Sequence, residues 1–332
     1  MKAFVTGSTG LLGYNLIHLL LQQGHEVKAL VRSKDKALQL FKELNVQIVK
    51  GDMLDVSSFA SELDECDIVF HTAAYFREAF QPGNHWEMLE AVNIRGTIDL
   101  LCEAEKRDVK KVIYVSSAGV VGKGSSGVPG DESTPPSKDV MENLYFKSKV
   151  IAEDSIHEFL KSHSLQVVLI LPAWMFGPGD AAPTTSGQLV LDYVHEKLPG
   201  IVDGGSCIVD VRDTAQAMLT AVEKGKSGER YIVGGNHVTM TELVHALEEV
   251  TAVSAPRFHI PHAVLMALAW ASEIYGSLTN SPILISRTGV KSLNQKIQLS
   301  SRKALQELGI SFRPLEATLR DEVEWYRQHN YL

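Results

Sequence analysis

Tyr145 and Lys149 stand four residues apart in the run Tyr-Phe-Lys-Ser-Lys. On a helix, positions i and i+4 share a face, so this spacing sets a phenol beside an ammonium. The ammonium favours the phenolate and is expected to lower the tyrosine pKa. Tyr145 is then a general acid for reducing a carbonyl, or a base for the reverse step. Such a pair is common on helix surfaces, and a second segment gives it weight. Residues 7–13 read Gly-Ser-Thr-Gly-Leu-Leu-Gly, directly after the apolar run 3–5. Glycine permits a tight strand-to-helix turn and close approach of backbone to a pyrophosphate. The helix starting near Leu11 aims its free N–H groups and positive dipole end at the phosphates. Gly7, Gly10 and Gly13, with Thr9, Leu11 and Leu12 between them, are therefore the candidate dinucleotide contacts.

Other candidates follow from strand ends. Arg32 closes the second apolar run, where an NAD-preferring chain would carry Asp or Glu for the ribose 2′-hydroxyl. Its guanidinium fork suits a 2′-phosphate, with Lys34 and Lys36 adding charge and Asp35 opposing it. The competing reading is a solvated surface cluster. Asp52, followed by Met53, ends the third strand and is placed to accept a hydrogen bond from an adenine amino group, while Asp55 reads as a helix cap. Ser117 ends the fifth strand in Tyr-Val-Ser-Ser-Ala-Gly, and its hydroxyl suits a substrate oxygen. Ser116 is the alternative, but points the other way if the pleat persists. Tyr75, Phe76 and Trp86 follow the fourth strand, and Trp174 and Phe176 the sixth. Tyr75 and Trp174 are the candidate substrate contacts, favouring an apolar or aromatic compound, against ordinary packing.

These residues need a scaffold with strand ends at one edge. Strands are predicted at 2–6, 26–31, 46–50, 67–71, 112–116 and 166–171, with helices at 11–23, 35–44, 56–63, 85–107 and 141–162. This alternation of near-continuous apolar strands with helices predicts an α/β fold, a doubly wound parallel sheet covered on both faces. Its ligand crevice lies at the carboxyl ends of the strands. Residues 172–187, rich in Pro, Gly, Ala and Thr, suit a loop over that site. A helix at 211–224 and a strand at 230–233 add one more unit. From Gly234 onward helices dominate, with boundaries at Pro256, Pro261, Pro282 and Pro314. The expected division is a dinucleotide-binding core of residues 1–172 plus about 207–233. A smaller, mostly helical substrate lobe takes about 173–206 plus 234–332. The span 124–127 is the expected flexible tip.

Composition narrows the partners. The chain has 332 residues, 45% of them hydrophobic, and a net charge of −8 with no long basic block. No nucleic-acid partner is expected. Cys66, Cys102 and Cys207 show no paired spacing and suit a reducing compartment. The first strand begins at Lys2, leaving no room for a signal peptide. The most apolar later stretch, 263–271, falls short of the roughly 20 residues a membrane span needs and reads as a buried amphipathic helix. A cytoplasmic protein without a membrane partner is expected. The twelve histidines show no metal spacing, so no metal is expected, and His18 and His71 read as packing residues.

In order along the chain stand Gly7-x-x-Gly10-x-x-Gly13, Gly51-Asp52-Met53, His71-Thr72-Ala73-Ala74, Asn93, Ser116-Ser117-Ala118, Tyr145-x-x-x-Lys149 and Leu171-Pro172. Over essentially its whole length the chain resembles the extended short-chain dehydrogenase/reductases, within the NAD-dependent epimerase/dehydratase superfamily. It is most similar to their dihydroflavonol-reductase-like branch. The resemblance implies a catalytic triad of Ser117, Tyr145 and Lys149, with Lys149 also on the nicotinamide ribose and Pro172 near the nicotinamide. It implies a water relay supported by Asn93, a backbone contact from Ala73, and a homodimer through helices near 92–107 and 141–162. Sugar-nucleotide dehydratases carry Thr-Asp-Glu where this chain has Ser117-Ala118-Gly119. Epimerases usually carry Asn at Trp174 and an arginine near Ser206, a role Arg212 is the candidate to fill. The expected activity is NADP-dependent reduction of a small-molecule aldehyde or ketone. The alternatives are a nucleotide-sugar epimerase and a cofactor-binding regulator without turnover, whose mark would be a broken triad.

Overall fold

The computed structural model describes residues 1–332 apart from 77–78, 80–82, 126, 280–289 and 291–296, and leaves out the side chains of 273 and 276–279. The Pro282 boundary and residue 126 of the 124–127 tip lie outside the described residues. The strands are β1 Lys2–Thr6, β2 Glu26–Val31, β3 Gln47–Lys50, β4 Ile68–His71, β5 Lys111–Val115, β6 Gln166–Pro172, β7 Trp174–Phe176, β8 Ile201–Val202, β9 Gly205–Asp210, β10 Arg230–Val233, β11 Asn236–Thr239 and β12 His259–Ile260. Seven form one parallel sheet in the order β10-β6-β5-β4-β1-β2-β3. The chain winds outward from β1 to β3, then returns to β4 on the other side of β1. The reversal leaves a crevice between the carboxyl ends of β1 and β4, where such sheets bind ligands.

The helices are α1 Leu11–Gln22, α2 Lys34–Leu40, α3 Trp86–Leu89, α4 Gly96–Lys106, α5 Lys138–Glu142, α6 Leu144–Phe159, α7 Thr185–Val194, α8 Val211–Lys224, α9 Met240–Thr251, α10 His262–Thr279 and α11 Leu315–Gln328. The inner strands β1, β4, β5 and β6 are buried almost throughout because both faces of the sheet are covered. Ala3 and Val5 pack with Leu16, Ile17 and Leu20 of α1 and Met218 and Ala221 of α8. Phe4, between them on β1, faces the opposite layer with Leu100 and Leu101 of α4 and Ile156 and Phe159 of α6. That alternation is the two-residue period of a strand.

Several elements differ from the sequence reading. The helix expected over 56–63 is two short 3₁₀ turns, Val56–Ser58 and Ala60–Leu63. The helix expected over 141–162 is divided at Asn143, whose Oδ1 caps the Phe146 N–H at 3.2 Å. Tyr145 therefore sits in the first turn of α6. Between α3 and α4 the backbone is π-helical over Glu90–Arg95. β9 joins β7 and β11 in a separate three-stranded sheet, whereas α8 and β10 belong to the central layer. Ala304, Leu308 and Ile310 return to pack with α1 and α8. The apolar stretch at 263–271 is helical and buried on one face only. Leu265 and Ala269 face inward, while Val264 and Leu268 are 48% exposed and Trp270 57%. Among the described residues no helix is long and apolar enough to cross a membrane.

Candidate active site

The glycine loop is built by exclusion of side chains. Gly7 has φ of +65°, and a Cβ there would lie 2.6 Å from Thr72 Oγ1 and 2.7 Å from the Ala73 nitrogen. A Cβ on Gly13 would overlap the Gly7 carbonyl oxygen. The Gly10 N–H closes the turn on that same oxygen at 3.0 Å. Ser8 turns inward and donates to Val5 O at 2.7 Å, leaving Thr9 and Gly10 exposed. Leu11 and Leu12 bury their side chains, so they can offer a ligand only backbone. No side chain caps α1. An uncapped helix start behind a loop with no room for Cβ atoms fits a dinucleotide pyrophosphate.

The neighbouring strand end is tied to this loop. Thr72 Oγ1 donates to Thr6 O at 2.7 Å, and the Ala73 N–H donates to Thr6 Oγ1 at 3.2 Å. His71 bridges Thr6 Oγ1 (2.7 Å) and Thr97 Oγ1 (3.0 Å). Burial and the charge of Lys149 push its imidazole down to about 3, so it is a neutral strut. Arg32 follows β2, is exposed, and has no hydrogen bond or ion pair among the described residues. Asp52 is half-buried and accepts the Leu54 N–H on Oδ1 at 3.0 Å; Met53 is buried. Pro172 closes β6, buried beside Val233.

The two serines differ in burial and in partner. Ser116 is 3% exposed and its hydroxyl donates to Glu153 Oε1. Ser117, half-buried, accepts the Gly119 N–H at 3.2 Å and starts the 3₁₀ turn Ala118–Val120. Lys149, one turn beyond Tyr145, is buried and donates from Nζ to Val115 O at 2.8 Å and to Tyr114 Oη at 3.4 Å. It thereby fastens α6 to the end of β5. The Tyr145 ring meets Phe76 edge-on, centroids 4.9 Å apart.

The expected lowering of the Tyr145 pKa is not what the structure gives. Burial pushes the phenol above its ordinary value, and Lys149 directs its head group to the β5 carbonyl. Lys149 itself is brought down to about 7 by desolvation, with the charge of Glu153 opposing.

Asn93 lies in the π-helical segment. Its Oδ1 accepts the Tyr75 N–H at 2.7 Å, and its Nδ2 donates to Ser148 Oγ at 3.0 Å and Tyr75 O at 3.3 Å. A single π-turn at a functional position is a recurring association. Tyr75 turns its hydroxyl to His85 Nδ1 at 2.8 Å. Trp174 packs edge-on to Phe176, centroids 4.9 Å apart, against the core of the second lobe. Phe76, rather than Trp174, is thus the aromatic set against Tyr145. Glu153 stands at the next i+4 position after Lys149, a spacing legible in the chain, and its partner Arg230 arrives from the distant β10. No group of three or more potential metal ligands occurs among the described residues.

The profile of the NAD dependent epimerase/dehydratase family matches residues 3–234. The chain belongs to this family. A putative dihydroflavonol 4-reductase of Synechocystis sp. is 31% identical over 99% of this chain and 95% of its own length. Sterol demethylase protein B of Methylococcus capsulatus is 30% identical over the full length of both. The crystal structure of gox2253 superposes with a TM-score of 0.85 at 32% identity, covering 100% of this chain and 99% of that one. The extended short-chain dehydrogenase/reductase resemblance and the Rossmann-type fold therefore hold. The protein is an NAD(P)-dependent enzyme of the oxidoreductase and epimerase class.

Proposed function

We propose that the protein is an NADP-dependent carbonyl reductase, taking an aldehyde or ketone of apolar or aromatic character to the alcohol. The observation that carries this is a buried Tyr145 with an aromatic ring packed on it, on the helix whose Lys149 is bound to the β5 end that presents Ser117. NADPH held on the glycine loop would supply the hydride. Ser117 holds the substrate oxygen, and Tyr145 gives it the proton. Lys149 binds the nicotinamide ribose and carries the charge that stabilises the phenolate left behind. Phe76, and Tyr75 beside Asn93, favour an apolar substrate. Arg32, exposed at the end of β2, supports selection of the 2′-phosphate.

The epimerase alternative needs a cation for a sugar diphosphate. Arg212 is unsuited to it. Its Nε and Nη2 bond Asp210 at 2.9 and 2.6 Å, and its Nη1 bonds Asp321 at 2.6 Å. The test is to incubate the enzyme with NADPH and, separately, aromatic and aliphatic carbonyl compounds and UDP- and dTDP-linked sugars. The expected result is NADPH loss with the carbonyl compounds, lowered about 10²–10⁴-fold in Tyr145→Phe. A change of sugar configuration with no net NADPH loss would replace this reading by the epimerase one. Full activity of Tyr145→Phe would refute both.

A further inference from the structure

One turn beyond Lys149, α6 buries an acid that the chemistry above does not use. Glu153 is 5% exposed. Its Oε1 accepts the Ser116 hydroxyl, and its Oε2 lies 3.0 Å from Arg230 Nε of β10. Arg230 donates from Nη1 to Glu132 O at 2.7 Å, and Glu132 Oε1 accepts the Ile232 N–H at 2.9 Å. Replacing a buried ion pair with apolar groups is often neutral or stabilising, so stability alone is a weak reason for one here. The Ser116 bond gives another. Ser116 lies between Val115, whose carbonyl holds the Lys149 ammonium, and Ser117. Glu153 is thus joined to Ser117 through the β5 end and to Lys149 through one turn of helix.

We propose that Glu153 is a positioning residue. It keeps Ser117 and Lys149 in register by gripping Ser116, and it supplies the counter-charge that maintains Lys149 as an ammonium, while Arg230 keeps Glu153 ionised. This rests on the roles given above to Ser117 and Lys149. The groups facing the pair are Tyr114 from β5, His71 from β4, Arg230 from β10 and His157 on α6. Burial lowers Lys149 and raises Glu153. The charges of Glu153 on Lys149, and of Arg230, His157 and Lys149 on Glu153, act against burial, as does the Ser116 bond.

The decisive measurement is the titration of the Lys149 side chain by NMR in cofactor-free protein, which needs no substrate. Glu153→Gln should lower its midpoint by about one pH unit. Glu153→Gln with Arg230→Met removes both buried charges and should recover melting temperature while retaining the lowered midpoint. If the pair is merely structural, the double variant will titrate like the wild type. That result, or an unmoved midpoint in folded Glu153→Gln, overturns the counter-charge role; should Glu153→Gln not fold, the double variant decides. Ser116→Ala keeps the charge and cuts the tether, so kcat should fall about tenfold or more with the midpoint unchanged. Unchanged kcat overturns the gripping role. If Tyr145→Phe proves fully active while the Lys149 midpoint moves as stated, the functional reading fails and the coupling of Glu153 to Lys149 stands.

Discussion

Lys149 should cost the cofactor-free protein stability, and the cost should depend on pH in a direction fixed by its burial. An ordinary lysine titrates near 10.5, whereas Lys149 in the folded chain is brought down to about 7. Between these values the unfolded chain binds a proton that the folded chain has released, so stability rises with pH. The slope approaches about 1.4 kcal/mol per pH unit, or roughly 2–3 kcal/mol from pH 7 to pH 9. Below pH 7 the folded protein carries the full penalty of a buried ammonium, on the order of 5 kcal/mol by the same arithmetic. Lys149→Met removes the titrating group. Urea unfolding followed by circular dichroism at pH 6, 7, 8 and 9, without nucleotide, gives the difference between wild type and variant. The variant should be more stable at pH 6, and the gap should close by about 3 kcal/mol by pH 9. A gap independent of pH would refute the reasoning, because it would mean Lys149 titrates alike in both states. Retention of a destabilising lysine fits a residue kept for activity.

Further outcomes follow from the same geometry. Arg32→Ala should weaken NADPH by about 1.5–3 kcal/mol and NADH little; equal weakening by calorimetry would sink the 2′-phosphate assignment. Gly13→Ala drives a Cβ into the Gly7 carbonyl, so nucleotide binding should be lost and stability reduced by about 1–3 kcal/mol, checked by fluorescence titration and thermal melting. The protein is expected to be a homodimer through α4 and α6, and a monomer mass by light scattering at micromolar concentration would contradict this.

The sequence by itself determined the elements whose causes are local. β1, β2, α8 and β10 begin and end where apolar runs and turn residues place them. The glycine triplet and the Tyr-x-x-x-Lys spacing are readable because each acts within one or two turns of chain. The tertiary structure decided everything that depends on what a side chain meets across the fold. β9 has the composition of a core strand, yet its partners β7 and β11 lie in another sheet. The same holds for α10, whose apolar residues read as buried although nothing among the described residues covers Val264, Leu268 or Trp270. Arg212 reads as an available cation until Asp210 and Asp321 are seen to hold it. The Tyr145–Lys149 pair shows the limit most directly. Spacing alone predicts an ammonium that acidifies a phenol, whereas burial raises the phenol and lowers the amine, and the carbonyl of Val115 takes the ammonium. Desolvation and charge pairing are set by residues from β5, β10 and α6 together, and no local pattern in the chain records that meeting.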